Sequence, residues 1–219
     1  MQFPNAHKGV SQIYKAEILS LIAGILAVVA AVMAIAAGMA GEAGGANAAV
    51  GATIVGAGAL ALVMGVLAII SFVLMILGIK NASKDEGDFS RAMMWLLLGI
   101  VGALVASVFS SSTIAKDIGT IVKDVGHLLS TFYIITGVLH LAERRHNVDE
   151  INRGNRLIRL ILGAYVIVII LEIIQVLAGK SSAGTTISGV LAIIAAVVLV
   201  VAYVMYLKFL SKAKKMLEA

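Results

Sequence analysis

The sequence predicts an all-α integral membrane protein, a six-transmembrane-helix bundle with both termini in the cytoplasm. Three observations support this fold class. Hydrophobic residues make up 61% of the 219 residues and charged residues only 13%, whereas about a quarter of a soluble domain is charged. Six apolar segments are long enough to cross a hydrocarbon layer, which takes about 20 helical residues. The basic residues concentrate in alternate connections between these segments, as the positive-inside rule requires.

The apolar segments follow one another with short connections. The predicted spans lie near residues 16–38, 49–78, 92–111, 121–142, 157–178 and 186–207. The one proline, Pro4, precedes all of them, so no span is kinked by proline. Because no connection is long enough for a soluble domain, residues 1–219 are expected to form a single polytopic transmembrane domain.

The distribution of Lys and Arg gives the expected orientation. Of the 17 such residues, all but Lys116, Lys123 and Lys180 lie in the terminal segments and in the second and fourth connections. Since positive charge resists translocation, these regions and both termini are predicted to be cytoplasmic, in the cell membrane. The net charge of +5 is spread over several helix ends beside acidic residues. This pattern favours the lipid bilayer as a partner and argues against nucleic acid.

The ends of three spans share one spacing: an aromatic residue, nine residues, alanine, one residue, then Lys or Arg. The three instances are Phe72, Ala82 and Lys84; Phe132, Ala142 and Arg144; and Tyr203, Ala213 and Lys215. The spacing indicates three tandem helical hairpins of the same orientation. The alternative is that alanine and interfacial aromatic residues simply recur in membrane helices.

The first predicted hairpin is rich in small residues. Small residues allow membrane helices to approach closely, because lipid provides no hydrophobic drive for helices to associate. The candidate helix-packing glycines are Gly24, Gly51, Gly56, Gly58 and Gly65. They are expected to pack either against each other within the chain or against another copy of the chain.

The fourth and fifth spans contain the candidate intramembrane polar cluster. Asp124, His127 and Thr131 follow at helical spacing with Lys123 alongside, and Glu172 is the carboxylate inside the fifth apolar run. Because a buried carboxylate is costly unless paired, we expect Glu172 to meet Lys123 or His127, as a proton or cation site or as a polar clasp. The alternative places Lys123 and Asp124 in the headgroup layer and His127 just inside it. Glu172 would then face a water-filled vestibule or stay protonated beside Gln175.

The sequence offers little for catalysis. It has no cysteine, which excludes disulfides, thiolate nucleophiles and cysteine-ligated metals. No histidine–carboxylate spacing indicates a metal site, and His140 is expected beside a solvated cytoplasmic loop. We therefore expect no catalytic, cofactor-binding or metal-ligating residues and no cofactor.

Three classes of function remain. The observations favour a non-enzymatic membrane protein that acts through helix packing and homo-oligomeric assembly. The runner-up is a small-solute or ion permease or channel with a polar site between spans four and five. An enzyme is the least favoured, because no nucleophile–base pair or cofactor motif occurs.

Overall fold

The computed structural model describes residues 2–42, 47–109, 112–178 and 182–218. Side chains are described for all of these except 37–42, 47–57, 113–114, 117, 165–178 and 182–196. The described chain is helical apart from short turns. The helices are α1 (Pro4–Glu42), α2 (Asn47–Ala82), α3 (Asp88–Val108), α4 (Thr113–Arg144), α5 (Val148–Ala178) and α6 (Ser182–Glu218).

Each helix contains one of the six predicted apolar segments, or most of it, and four of them (α1, α4, α5 and α6) extend well beyond it at one end. Among the residues whose side chains are described, four stretches are long and apolar enough to cross a membrane: Pro4–Ala36, Gly58–Ala82, Asp88–Val108 and Ile118–Arg144. Many of their large apolar side chains are exposed, among them Leu62 at 75% and Ile35 at 64%, as expected of helices solvated by lipid. The all-helical fold with several helices able to span a membrane is therefore confirmed, while the set of six spans and their orientation stay predictions.

The chain divides into two compact units. The first comprises Met1–Val10 with Ile79–Ala219, and the second comprises Ser11–Gly78. In the second unit the Ser71 hydroxyl donates to the Ala16 carbonyl at 2.8 Å and lies 2.7 Å from the Ser20 hydroxyl. These bonds join α1 to α2 and satisfy polar groups that lipid could not.

The turn between α4 and α5 is built from helix caps. The amide of Asn147 donates to the Ala142 carbonyl and that of His146 to the Glu143 carbonyl, both at 2.9 Å, which is the Schellman pattern for ending a helix. His146 has φ of 53°, the left-handed conformation that this motif requires. The Asn147 side chain then accepts from the Glu150 amide at 3.1 Å and caps the start of α5.

The α3–α4 pair is the closest helix packing in the described chain, and glycine makes it possible. A Cβ atom added to Gly102 would lie 2.5 Å from the Lys123 amide nitrogen, and one added to Gly126 would lie 2.6 Å from the Gly99 Cα. A Cβ on Gly119 would lie 2.5 Å from the Ala106 amide nitrogen. Since these obstacles are backbone atoms, only glycine allows this separation of the two helix axes.

Candidate functional site

Three acidic residues lie where α2 is joined to α3: Asp85 and Glu86 in the loop, and Asp88 as the first residue of α3. Asp85 binds the start of α1. The Asp85 carboxylate accepts from the Ala6 amide at 2.7 Å and from the Asn5 side-chain amide at 3.0 Å. Ala6 lies in the first turn of α1, where backbone N–H groups have no partner within the helix. Asp85 therefore caps α1 from about 80 residues away in sequence, and its negative charge lies at the favourable end of the helix dipole.

The other two acidic residues bind the end of α4. Glu86 lies 2.7 Å from the Arg144 guanidinium, and Asp88 lies 2.9 Å from Nδ1 of His140. Both carboxylates are buried, whereas the side chains of His140 and Arg144 are about half exposed. Asp88 also pairs with Arg91 at 2.9 Å. The cluster thus joins the α2–α3 loop to α3 and α4.

The same cluster has the donor set of a cation site. Ligand atoms of Glu86, Asp88 and His140 lie within 4.8 Å of one another, and carboxylates with an imidazole suit a divalent transition metal. However, Glu86 already pairs with Arg144, whose positive charge would oppose a cation at this position. The contacts fit an ion-paired clasp between helices better than they fit a metal centre. The residue spacing does not predict this convergence, because His140 is more than 50 residues from Glu86 and Asp88 in the sequence.

The C-terminal end of α6 reaches the same end of the first unit. The Arg145 guanidinium donates to the Met216 carbonyl, and Arg144 donates to the Asp85 carbonyl at 3.2 Å. The start of α1, the α2–α3 loop, the α4–α5 turn and the end of α6 therefore meet at one end of this unit, hereafter the basic end. Both described termini of the chain lie there.

The predicted polar residues of the fourth span lie on one exposed strip of α4. Lys123 and Asp124 form an ion pair at 3.3 Å and are half exposed, His127 is exposed and Thr131 is partly buried. At about 100° per residue, this strip lies between the side of α4 that packs on α3 through Gly126 and the side that faces α5.

The depth of this strip follows from the glycine contacts. The Lys123 backbone packs on Gly102, which is six residues, or about 9 Å, from the end of α3 at Val108. The ion pair between Lys123 and Asp124 is thus exposed well inside an apolar span. Charged side chains at such depth usually face protein or water, because contact with hydrocarbon is costly.

The remaining partner predicted for this strip, Glu172, lies on α5, but its side chain is outside the described residues. The predicted pairing of Glu172 with Lys123 or His127 therefore stays a prediction. The same holds for the surroundings of Gly51 and Gly56, which are on the part of α2 whose side chains are not described.

The described glycines of the first hairpin have open surroundings. A Cβ atom added to Gly24, Gly58 or Gly65 would meet no described atom of the chain within 4 Å. Among the described glycines, the closest approaches to the backbone of another helix occur instead in the α3–α4 pair, where none of the candidate packing glycines lies. A signal was present there, because Gly99, Gly102 and Ala106 recur at three- and four-residue spacing and so share a helix face.

No family model matches this chain, and no curated protein or solved structure shows significant similarity to it.

Proposed function

We propose that this chain is a non-enzymatic integral membrane protein of the cytoplasmic membrane that acts by assembling with copies of itself. The observation that carries the proposal is the open face of α2 at Gly58 and Gly65. These glycines are seven residues apart and have no described atom near the Cβ position. Glycines of α3 and α4 contact the backbone of the neighbouring helix, whereas Gly58 and Gly65 have no such neighbour among the described residues.

The spacing of these glycines matches helix pairing. A repeat of seven residues keeps small side chains on one face of two helices that cross at a shallow left-handed angle. Gly51 falls on the same repeat. Leu62 and Ile69 lie beside Gly58 and Gly65 on this face and are 75% and 65% exposed. Two such faces would combine close backbone approach with apolar side chains that interdigitate.

A second candidate function, a small-solute or ion permease or channel, is favoured by the exposed polar strip of α4. Lys123, Asp124 and His127 present polar groups at a depth where lipid is a poor partner. At a boundary between subunits, or beside Glu172 of the fifth predicted span, the strip would line a polar path. The assembly proposal ranks first because it requires only contacts of a kind that the α3–α4 pair already makes.

The assembly proposal is tested by the size of the particle in mild detergent, measured by light scattering or native mass spectrometry. The wild-type chain should form one defined oligomer, and Gly65→Leu should shift it towards monomer because the added side chain separates the α2 faces. The matched control is Gly163→Leu on α5, where a Cβ likewise meets no described atom within 4 Å. A strictly monomeric wild-type chain, or equal effects of the two substitutions, would contradict the proposal.

The absence of cysteine allows a second test of which face makes the contact. Ile69 and Ile70 are neighbours and are 65% and 44% exposed, but they point about 100° apart around α2. Ile69→Cys lies on the glycine face and should form a disulfide between two chains in membranes under mild oxidation. Ile70→Cys is the control and should not. Equal cross-linking at both positions would indicate random collision rather than a defined interface.

A further inference from the structure

A cavity of about 460 Å³ opens between α5 and α6 near the basic end of the first unit. Four of the side chains around it are basic: Arg153 and Arg156 from α5, and Lys208 and Lys212 from α6. Its volume is in the range of about 300–1,000 Å³ found for small-molecule sites. The cavity therefore combines enough space for a polar group with an unusual concentration of positive charge.

The carboxylates of the described residues do not balance the charge of these four cations. Arg153 forms an ion pair with the buried Glu150. Among the described residues no carboxylate lies within ion-pair distance of Arg156, Lys208 or Lys212. These three side chains belong to exposed residues. The cavity thus carries an excess of about three positive charges that an anion could neutralise.

The part of the cavity wall on the membrane side of the charges is apolar. Leu157 and Met205 line it one helical turn further from the basic end than Arg153 and Phe209, respectively. Phe209 also lines it and is buried. A small water-soluble anion would gain no binding energy from this apolar wall, whereas the first part of an acyl chain would bury apolar surface against it.

The contacts of Gly154 give the level of the cavity relative to the spanning part of the bundle. A Cβ atom on Gly154 would lie 2.4 Å from Leu139 of α4 and 3.2 Å from the Phe209 ring. These three residues are therefore at one level. In α4 the apolar run ends at Ala142, about one helical turn after Leu139, and the charged residues Glu143, Arg144 and Arg145 follow it. The basic rim of the cavity thus lies where the span ends, which is the depth of lipid headgroups.

We propose that this cavity is a binding site for one anionic phospholipid, with the phosphate between Arg156 and Lys208 and the first part of an acyl chain along Leu157 and Met205. Basic pockets between membrane helices recognise anionic headgroups in this way. The cavity is too small for a whole diacyl lipid, so the rest of the acyl chains extend into the bilayer. The site does not depend on the assembly proposed above.

The test is native mass spectrometry of the full chain in mild detergent, titrated with dioleoyl phosphatidylglycerol, dioleoyl phosphatidylcholine or inorganic phosphate. The wild-type chain should bind one phosphatidylglycerol in preference to phosphatidylcholine. The double variant Arg156→Gln/Lys208→Gln should weaken phosphatidylglycerol binding about 30-fold, at about fivefold for each basic residue removed. The matched control, Lys214→Gln/Lys215→Gln, removes the same charge from residues outside the cavity wall and should change binding less than fivefold.

A third variant separates a pocket from a charged surface. Ser211 lines the cavity, and Ser211→Trp fills it without changing the charge, so it should also abolish the preference for phosphatidylglycerol. Thermal unfolding of each variant checks that the fold is retained. Equal weakening by the two double variants, or full binding by Ser211→Trp, would overturn the proposal in favour of general surface attraction. Binding of inorganic phosphate as tight as that of the lipid would overturn it in favour of a soluble anion.

Discussion

The glycine contact between α3 and α4 makes a quantitative prediction for the substitution Gly126→Ala. The new Cβ atom would lie 2.6 Å from the Gly99 Cα and amide nitrogen and 2.8 Å from the Trp95 carbonyl oxygen. Carbon atoms in ordinary contact are about 3.5–4.0 Å apart, so the two helices must separate by about 1 Å. The obstructing atoms are all backbone, and no side-chain rotation can relieve the overlap.

The expected cost follows from two opposing effects. Overpacking of this kind typically costs about 1–3 kcal/mol, and the cost should lie in the upper part of that range because the backbone cannot yield. Alanine recovers up to about 1 kcal/mol through its higher helix propensity. The net loss of about 2 kcal/mol in the free energy of unfolding corresponds to a Tm lower by about 4–8 °C for a chain of this size.

Thermal unfolding in detergent, followed by tryptophan fluorescence, measures this loss at the contact itself. Trp95 is the one tryptophan of the chain, and its carbonyl is part of the contact. The control Gly163→Ala places the same methyl group where nothing lies within 4 Å, so its Tm should stay equal or rise slightly. If Gly126→Ala, like the control, had a Tm equal to or above that of the wild-type chain, the close approach of α3 and α4 would be refuted.

Three further predictions concern the charged residues. Asp85→Ala removes the acceptor of the Ala6 amide and should cost about 1–2 kcal/mol locally; hydrogen exchange of the first turn of α1 should accelerate, and unchanged exchange would contradict the cap. A double-mutant cycle with Glu86→Gln and Arg144→Gln should give a coupling energy of about 1–2 kcal/mol, because one partner is buried and the other half exposed; additive effects on unfolding would argue against the pair. Glu172→Gln should reduce proton or cation flux into reconstituted vesicles if the permease candidate is correct; unchanged oligomerisation, stability and flux would remove that candidate.

Sequence reasoning predicted the helices better than their ends. A long apolar run identifies a spanning helix because the hydrocarbon layer requires about 20 apolar residues. Where a helix begins and ends depends on contacts with residues outside the apolar run. The first span was predicted near residue 16, whereas α1 begins at Pro4, and its first turn is capped by Asp85 from another part of the chain. No local pattern could have shown this cap.

The candidate sites were predictable to different degrees. Asp124, His127 and Thr131 lie along one side of α4, because residues at three- and four-residue spacing share a face of any helix; their role as a cluster stays a prediction. The ion-paired cluster was not foreseen, because Glu86 and His140 come together only through the packing of α3 against α4. The glycine content of the first hairpin predicted close helix packing there. Which helices pack closely depends, however, on which faces the fold brings together.

Some surface groups of the described chain have a partner within the chain, and others do not. Because the groups without a partner differ in kind, the two proposals can be tested by separate experiments. At the basic end, the acidic loop and the end of α4 neutralise each other within the chain. The Gly58–Gly65 face and the cavity at Arg156 have no such partner among the described residues. The Gly58–Gly65 face lacks a closely packed helix, and the cavity lacks negative charge. A bulky substitution should therefore affect the glycine face, and removal of positive charge should affect the cavity. A chain with Gly65→Leu should lose assembly and keep its lipid, while Arg156→Gln/Lys208→Gln should lose the lipid and keep its assembly.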